Sequence, residues 1–171
     1  MTRRIVLTGT PGTGKTTVSE LVAERTGLDV VHLNDEIRDE KLYTERDDER
    51  DSLVADVEAI TEWLGEWDGM VESHLSHLLD ADVAVVLRCH PEELEERLRE
   101  RGESEAKARE NAESEALDVV LSEAVDRFGT EAVYEIDTTD RTPEAVADDV
   151  VAAVEGEMEP RAGTVNFIDY L

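Results

Sequence analysis

Nine consecutive residues, Gly9 to Thr17, read GTPGTGKTT and meet the spacing G-x-x-x-x-G-K-[ST] at Gly9, Gly14, Lys15 and Thr16. Residue types at that spacing suit the holding of a polyphosphate. Glycines, Gly12 and Gly14 among them, let main-chain N–H groups turn inward around phosphate oxygens. A helix starting there adds unpaired N–H donors, at Thr16 and Thr17 among others, and a partial positive charge. Lys15 can reach the outer phosphates, and the Thr16 hydroxyl can bind Mg²⁺. Further along the chain stand other groups able to act on phosphates: Arg38, Arg97 and Arg101 as cations, Glu72 as a carboxylate and His74 as an imidazole.

The motif carries meaning only between a strand and a helix. Ile5-Val6-Leu7 precedes it, and Val18, Leu21, Val22 and Arg25 follow at helical spacing. The remaining pattern predicts strands near Val30-Val31, Met70-Val71-Glu72, Val83 to Leu87 and Ala132 to Ile136. Helices are expected between them: one capped by Asn34 or Asp35, one over 53–66, one opened by Pro91, one over 105–128 and one opened by Thr142-Pro143. Trp63 and Trp67, four apart, are expected in the core, as are Leu117, Leu121, Ala124 and Phe128. Residues 43–52 are almost wholly charged and are expected to form a mobile loop or a solvated helix. Strands alternating with helices predict an α/β fold, a parallel sheet with helices on both faces.

The sequence has 171 residues, 44 acidic and 17 basic, for a net charge of −27. Of the basic residues three are lysines (Lys15, Lys41, Lys107) and fourteen are arginines. With 40% apolar residues and periodicity throughout, this is a folded acidic domain rather than a disordered acidic tail. The evenly spread charge is expected of a protein from a salt-accumulating cell, where a screening length of roughly 3 Å at 1 M removes the self-repulsion. It argues against broad nucleic-acid binding and favours basic partners. A single cysteine, Cys89, leaves no internal disulfide, and no apolar run is long enough to span a bilayer. A cytoplasmic monomer without membrane association is expected.

No N-K-x-D signature is present, and no D-x-x-G directly follows the third strand, which weighs against a switch GTPase. At this length there is no room for a motor's oligomerisation module. What remains resembles a nucleoside monophosphate kinase. Arg38, in Asn34-Asp35-Glu36-Ile37-Arg38, stands where such kinases keep an arginine for the acceptor phosphate. Arg97 and Arg101 stand where they keep arginines for the donor nucleotide. A planar guanidinium binds two phosphate oxygens at once, which is what several phosphates beside one lysine require.

The likeness is closer to one branch. Thr8 to Thr17, Asp35 to Arg38 with Leu42-Tyr43, Glu72-Ser73-His74, Val86-Leu87-Arg88, Leu94 to Gly102, and Lys107 to Glu115 together resemble the adenylate kinase isoenzyme 6 family of archaea and eukaryotes. That resemblance implies a P-loop NTPase fold of the nucleoside monophosphate kinase type, with a five-stranded parallel sheet of order 2-3-1-4-5. It implies one kinase domain over 1–160, with a monophosphate-binding insertion at 32–52, a short lid at 100–110 and a C-terminal tail at 161–171. It implies ATP and Mg²⁺ as cofactors. Lys15, Glu72, His74 and Arg101 would be catalytic. Gly12, Gly14, Lys15, Thr16, Thr17, Arg97 and Arg101 would hold the donor nucleotide, Asp35 and Arg38 the acceptor monophosphate, and Thr16 and Glu72 the metal, the latter through water. Two activities are implied: adenine-favouring monophosphate kinase chemistry, and ATP hydrolysis tied to late small-subunit ribosome maturation through transient binding of a ribosomal protein of the S11 type. Two departures stand out. The family's strand-three motif has Asp-x-His where this chain has Glu72-Ser73-His74, and Glu103 replaces the lid's aromatic residue after Arg101-Gly102. A purely metabolic kinase, an assembly ATPase and a shikimate- or gluconate-type kinase are the competing readings. The last is disfavoured by Arg38 and the Glu72-x-His74 element.

Overall fold

The computed structural model of the chain describes residues 3–47 and 52–171. Strand β1 (Arg4–Thr8) leads through the glycine-rich loop into helix α1 (Lys15–Thr26). Then come β2 (Val30–His32), α2 (Leu33–Asp39), a hairpin of β3 (Tyr43–Asp47) and β4 (Ser52–Ala55), α3 (Val57–Leu64) and β5 (Gly69–Glu72). The second half holds β6 (Val83–Arg88), α4 (Pro91–Glu100), α5 (Glu105–Ala116), α6 (Val119–Phe128), β7 (Val133–Asp137) and α7 (Pro143–Val154).

Five strands form one parallel sheet in the order β2-β5-β1-β6-β7. With the hairpin left out of the count this is the expected order 2-3-1-4-5. Alternation along the strands sorts the side chains to two faces. Ile5, Leu7, Val85 and Leu87 meet Val18 and Val22 of α1 and Val146 and Val150 of α7. Val6, Ala84 and Val86 face Leu121 and Ala124 of α6 on the other side. Val71 joins Leu33 and Ile60 beneath α2 and α3. Each Val, Leu or Ile among them, fully withdrawn from water, contributes about 1.5–3 kcal/mol. Because all five strands run the same way, their carboxyl ends open on one edge. That edge is where an α/β sheet binds ligands.

Several expectations for local structure are corrected. Tyr43–Asp47 and Ser52–Ala55 pair as two antiparallel strands, with Arg46 opposite Leu53 and Glu45 opposite Val54, instead of a loop or solvated helix. Residues 48–51 of that expectation lie outside the described residues. Leu53 to Ala55 are therefore strand, and the helix begins only at Val57, where the Asp56 carboxylate accepts from the Ala59 N–H. It stops at Leu64, so Trp63 and Trp67 do not share a helix face. Trp63 is 39% exposed, while half-buried Trp67 packs below Arg4, 5.9 Å from its ring centre. The expected long helix 105–128 is two helices. Asp118 adopts φ +58° between them, and Leu117 is 56% exposed instead of buried. Helix α2 begins after His32 with no side-chain cap, and Asn34 bonds elsewhere. The tail packs back on the core: Arg161 bridges beside Tyr134, and Phe167 is buried.

Cys89, just after β6, is buried against Leu94, Leu98 and Ala108, and burial pushes its thiol up to about 12. At pH 8 the thiolate fraction is then on the order of 10⁻⁴, so alkylation by iodoacetamide is expected only on unfolding. Mass spectrometry with and without denaturant checks this; rapid native labelling would contradict it.

Candidate active site

The loop from Gly9 to Gly14 crosses the carboxyl end of β1. Gly12 lies at φ +94°, and a Cβ there would sit 2.9 Å from Leu94 Cδ1. Gly14, at φ +96°, caps α1 without a side chain, so the first-turn N–H groups are not capped from within. Thr16 and exposed Thr17 follow along the same cleft. Lys15 is buried, and its Nζ donates to the loop's own carbonyls, Gly9 O at 2.9 Å and Thr10 O at 3.1 Å. Burial pulls its pKa down to about 8, and Arg101 adds to this while Glu72 and Glu115 oppose it. A desolvated ammonium seated on main-chain carbonyls, over a glycine-lined turn, fits a site built for anionic phosphates.

The next strand supplies the carboxylate. Register pairs Glu72, at the end of β5, with Leu7 on one side and His32 on the other. Its Oε1 accepts from Thr16 Oγ1 at 3.2 Å and meets His32 Nδ1 at 2.8 Å. The longer side chain thus still reaches the Thr16 hydroxyl. One hydroxyl and one carboxylate fit Mg²⁺, which takes few protein oxygens and completes its shell with water and substrate phosphates. His74 follows two residues on. Its Nδ1 stands 3.3 Å from Asn34 Nδ2, and Asn34 Oδ1 accepts from Ser73 Oγ at 2.7 Å. Burial, with Lys15 next, lowers the His74 pKa to about 4, so the ring is neutral at neutral pH.

His77 is held inside the fold. It is buried, 2.7 Å from Thr8 Oγ1 and 3.2 Å from Glu123 Oε2, and burial lowers its pKa. A histidine with a depressed folded pKa stays neutral while the unfolded chain takes up a proton below about pH 6.5. Stability is therefore expected to fall as pH drops from 6.5 towards 5, and His77→Gln should flatten that fall. Denaturant midpoints across the range check it; a slope unchanged by the substitution contradicts it.

The three arginines lie around two clefts. Arg97 donates to Gly12 O at 3.3 Å and to Glu93 at 3.1 Å. With Arg101, Thr138, Arg141, Pro143 and the loop it lines a cleft of about 580 Å³. Arg38 donates to Asp35 at 2.5 Å, and both are exposed. Arg38 faces a second cleft, of about 1330 Å³, walled by α2, the hairpin and α5; Asp35 holds Arg38 and is not part of that wall. Arg101 is exposed between them and makes no ion pair among the described residues. Pro11, Asn34, His74 and Arg101 line both clefts, so the two cavities meet over the glycine-rich loop.

Three participants escape sequence reasoning. His32 and Asn34 meet Glu72 and His74 only through the parallel pairing of strands some 40 residues apart, as the separations of these bonds show. The third is Arg88, fully buried at the end of an apolar strand, bonded to Glu115, Glu135 and Asp118. A charged residue closing the run Val83-Ala84-Val85-Val86-Leu87 is the signal that could have marked it.

Comparison with known proteins agrees with this architecture. The AAA domain family model matches residues 5–118. A "Putative adenylate kinase" of Natronomonas pharaonis is 59% identical over 169 residues, covering 98% of this chain and 99% of its own. Proteins of the same description are 54% identical in Halobacterium salinarum, over 98% and 99% of the two chains, and 40% identical in Methanocaldococcus jannaschii, over 98% and 97%. Among solved structures, a shikimate kinase from Bacteroides thetaiotaomicron superposes with a TM-score of 0.58 at 22% identity, over 91% and 99% of the two chains. A gluconokinase from Sinorhizobium meliloti gives 0.57 at 19%, over 91% and 93%. At such identity these two show a shared kinase-like P-loop fold alone. Family match and full-length relatives together establish that the chain belongs to the AAA domain family and to the family of these archaeal adenylate kinase-like proteins.

Proposed function

We propose that this protein is a nucleoside monophosphate kinase of the adenylate kinase type, passing the γ-phosphoryl group of ATP to a monophosphate, with water as a second acceptor. The observation that carries the reading is the meeting of two clefts over one phosphate cradle, with His74 and Arg101 common to both. The full-length likeness to archaeal proteins described as adenylate kinases supports it.

In this reading the 580 Å³ cleft takes ATP. Main-chain N–H groups at Gly12 and Gly14 and the start of α1, at Thr16 and Thr17, bind its phosphates, and Lys15 swings from the loop carbonyls onto the β- and γ-phosphate oxygens. Arg97 and Arg101 neutralise the donor side. The larger cleft, to which the expected insertion at 32–52 contributes Asn34, Ile37, Arg38, Tyr43 and Arg46, takes the monophosphate, with Arg38 on its phosphate and Asp35 orienting Arg38. The lid at 100–110 closes with Arg101 to exclude water. An acceptor phosphate oxygen attacks the γ-phosphorus in line, and ADP leaves with the bridging oxygen's electrons. Mg²⁺, bound by Thr16 directly and by Glu72 through water, would neutralise charge on the transferring oxygens.

Hydrolysis as a second outcome is supported by His74. Its ring is neutral, is oriented by Asn34 and sits where the clefts join, so it can hold a water by hydrogen bond rather than by charge. The resemblance through Glu72-Ser73-His74 and Lys107 to Glu115 supports a place in late small-subunit maturation, with transient binding of the S11-type protein in a cytoplasmic setting. No helix among the described residues is long and apolar enough to cross a membrane. The even acidic charge supports adaptation to molar salt; unfolding midpoints should rise with KCl, and a flat or falling trend would contradict this.

The test is one sample in molar KCl assayed for hydrolysis alone, for transfer to a panel of monophosphates, and for hydrolysis with the ribosomal protein added. Transfer with adenine acceptors preferred is expected. No transfer to any monophosphate would remove the kinase reading and leave the ATPase.

A further inference from the structure

Arg88 lies at the carboxyl end of β6 with no exposed surface and faces three carboxylates. Its Nε donates to Glu115 Oε1 at 3.2 Å, Nη1 to Glu135 Oε2 at 2.6 Å, and Nη2 to both the Glu115 carbonyl at 3.0 Å and Asp118. One guanidinium against three carboxylates leaves the cluster short of positive charge. Buried ion clusters hold only when the remaining lone pairs are met by good donors.

Two segments supply those donors. On the catalytic side Glu115 Oε1 accepts from Thr10 Oγ1 at 3.1 Å, and its Oε2 accepts from the Cys89 N–H at 2.8 Å. Thr10 belongs to the glycine-rich loop, and its carbonyl holds both Lys15 Nζ and the Thr13 hydroxyl. On the far side the C-terminal tail donates three times to Glu135 Oε1: Thr164 N–H and Thr164 Oγ1 at 2.8 Å, and Val165 N–H at 3.3 Å. The Phe167 ring then roofs Arg88, 5.4 Å from its guanidinium carbon. A continuous chain of bonds thus runs from the tail through Glu135, Arg88 and Glu115 to Thr10.

We infer that Thr164 and Phe167 are positioning residues for nucleotide binding: the tail completes the Arg88 cluster, and the cluster fixes Thr10 so that the loop presents Lys15 and its amides to phosphate. Without the tail's donors, Glu135 competes with Glu115 for the Arg88 guanidinium. The guanidinium is then drawn from Glu115, and Thr10 loses its anchor. The inference rests on reading Gly9–Thr17 as a triphosphate cradle, and the test separates the two.

Calorimetric ATP affinity, acceptor KM and thermal midpoint are measured for the full chain, Phe167→Ala, Thr10→Val and the double variant. Failure of the unaltered chain to bind ATP would overturn the cradle itself. If it binds, Phe167→Ala is expected to weaken ATP affinity about five- to tenfold at unchanged acceptor KM, with little further loss in the Thr10→Val background. Equal fold-losses in both backgrounds, or a lowered midpoint with unchanged affinity, would show the tail to be mere packing and overturn the inference. Thr164→Val removes one donor and little packing. It is expected to weaken ATP about two- to threefold, and it decides the question by the same cycle if Phe167→Ala does not fold.

Discussion

Lys15→Ala is expected to lower phosphoryl transfer and hydrolysis together, by on the order of 10³, while leaving the fold as stable as before. The kinetic loss follows from position. Lys15 is the cation buried beneath the glycine-rich loop, and a preorganised donor removed from a developing charge in a water-poor site costs about 2.7–4 kcal/mol of transition-state stabilisation. The unchanged stability follows from its pKa. An ammonium whose burial lowers its pKa to about 8 is held at a cost, and its bonds go to carbonyls of its own loop. Removing it relieves that cost, so the thermal midpoint should hold or rise. Steady-state assays beside a melting curve check both halves. Normal turnover would remove Lys15 from the site, and a sharply lowered midpoint would assign its role to the fold.

Arg88→Ala should behave in the opposite way. Its guanidinium is the shared cation of Glu115, Glu135 and Asp118, and without it three carboxylates confront one another with two of them buried. Breaking such a cluster costs about 3–5 kcal/mol, a large share of the stability of a domain this size. Molar salt offers little rescue, because screening acts weakly on buried charge. Arg88→Lys should recover less than half, since one ammonium cannot span acceptors that the fork reaches from Nε, Nη1 and Nη2. Denaturant titrations in KCl measure this, and a loss below about 1 kcal/mol for Arg88→Ala would contradict it.

The contrast between these residues marks what could be read in the chain beforehand. Lys15 belongs to a local pattern whose chemistry depends on spacing, and the flanking apolar runs place it between strand and helix. The core strands are legible for the same reason, since the burial of β1, β6 and β7 shows directly as Val, Ile and Leu. The hairpin is not. Tyr43-Thr44-Glu45-Arg46 carries charge on both faces, so the two-residue alternation that betrays a strand is hidden beneath the acidic surface. The break after Ala116 is hidden for a different reason. Nothing near Leu117 stops a helix, but Arg88, some thirty residues earlier, takes the Glu115 carbonyl and the Asp118 carboxylate and turns the chain there. His32 and Asn34 likewise enter the site through strand pairing and loop packing.

At the site itself, Lys15, Thr16, Glu72 and His74 gather around one loop, whereas Arg38 stands apart on α2, paired with Asp35. It lines the second cleft and not the first. Arg101 is exposed and is shared by both clefts.

The most direct test of two clefts serving one transfer is calorimetric titration with two adenosines joined by five phosphates, in molar KCl with Mg²⁺. One such molecule should bind per chain, far more tightly than ATP, and should compete with both ATP and AMP. Competition with ATP alone, at an affinity no better than that of ATP, would mean that the second cleft does not hold a nucleotide beside the first.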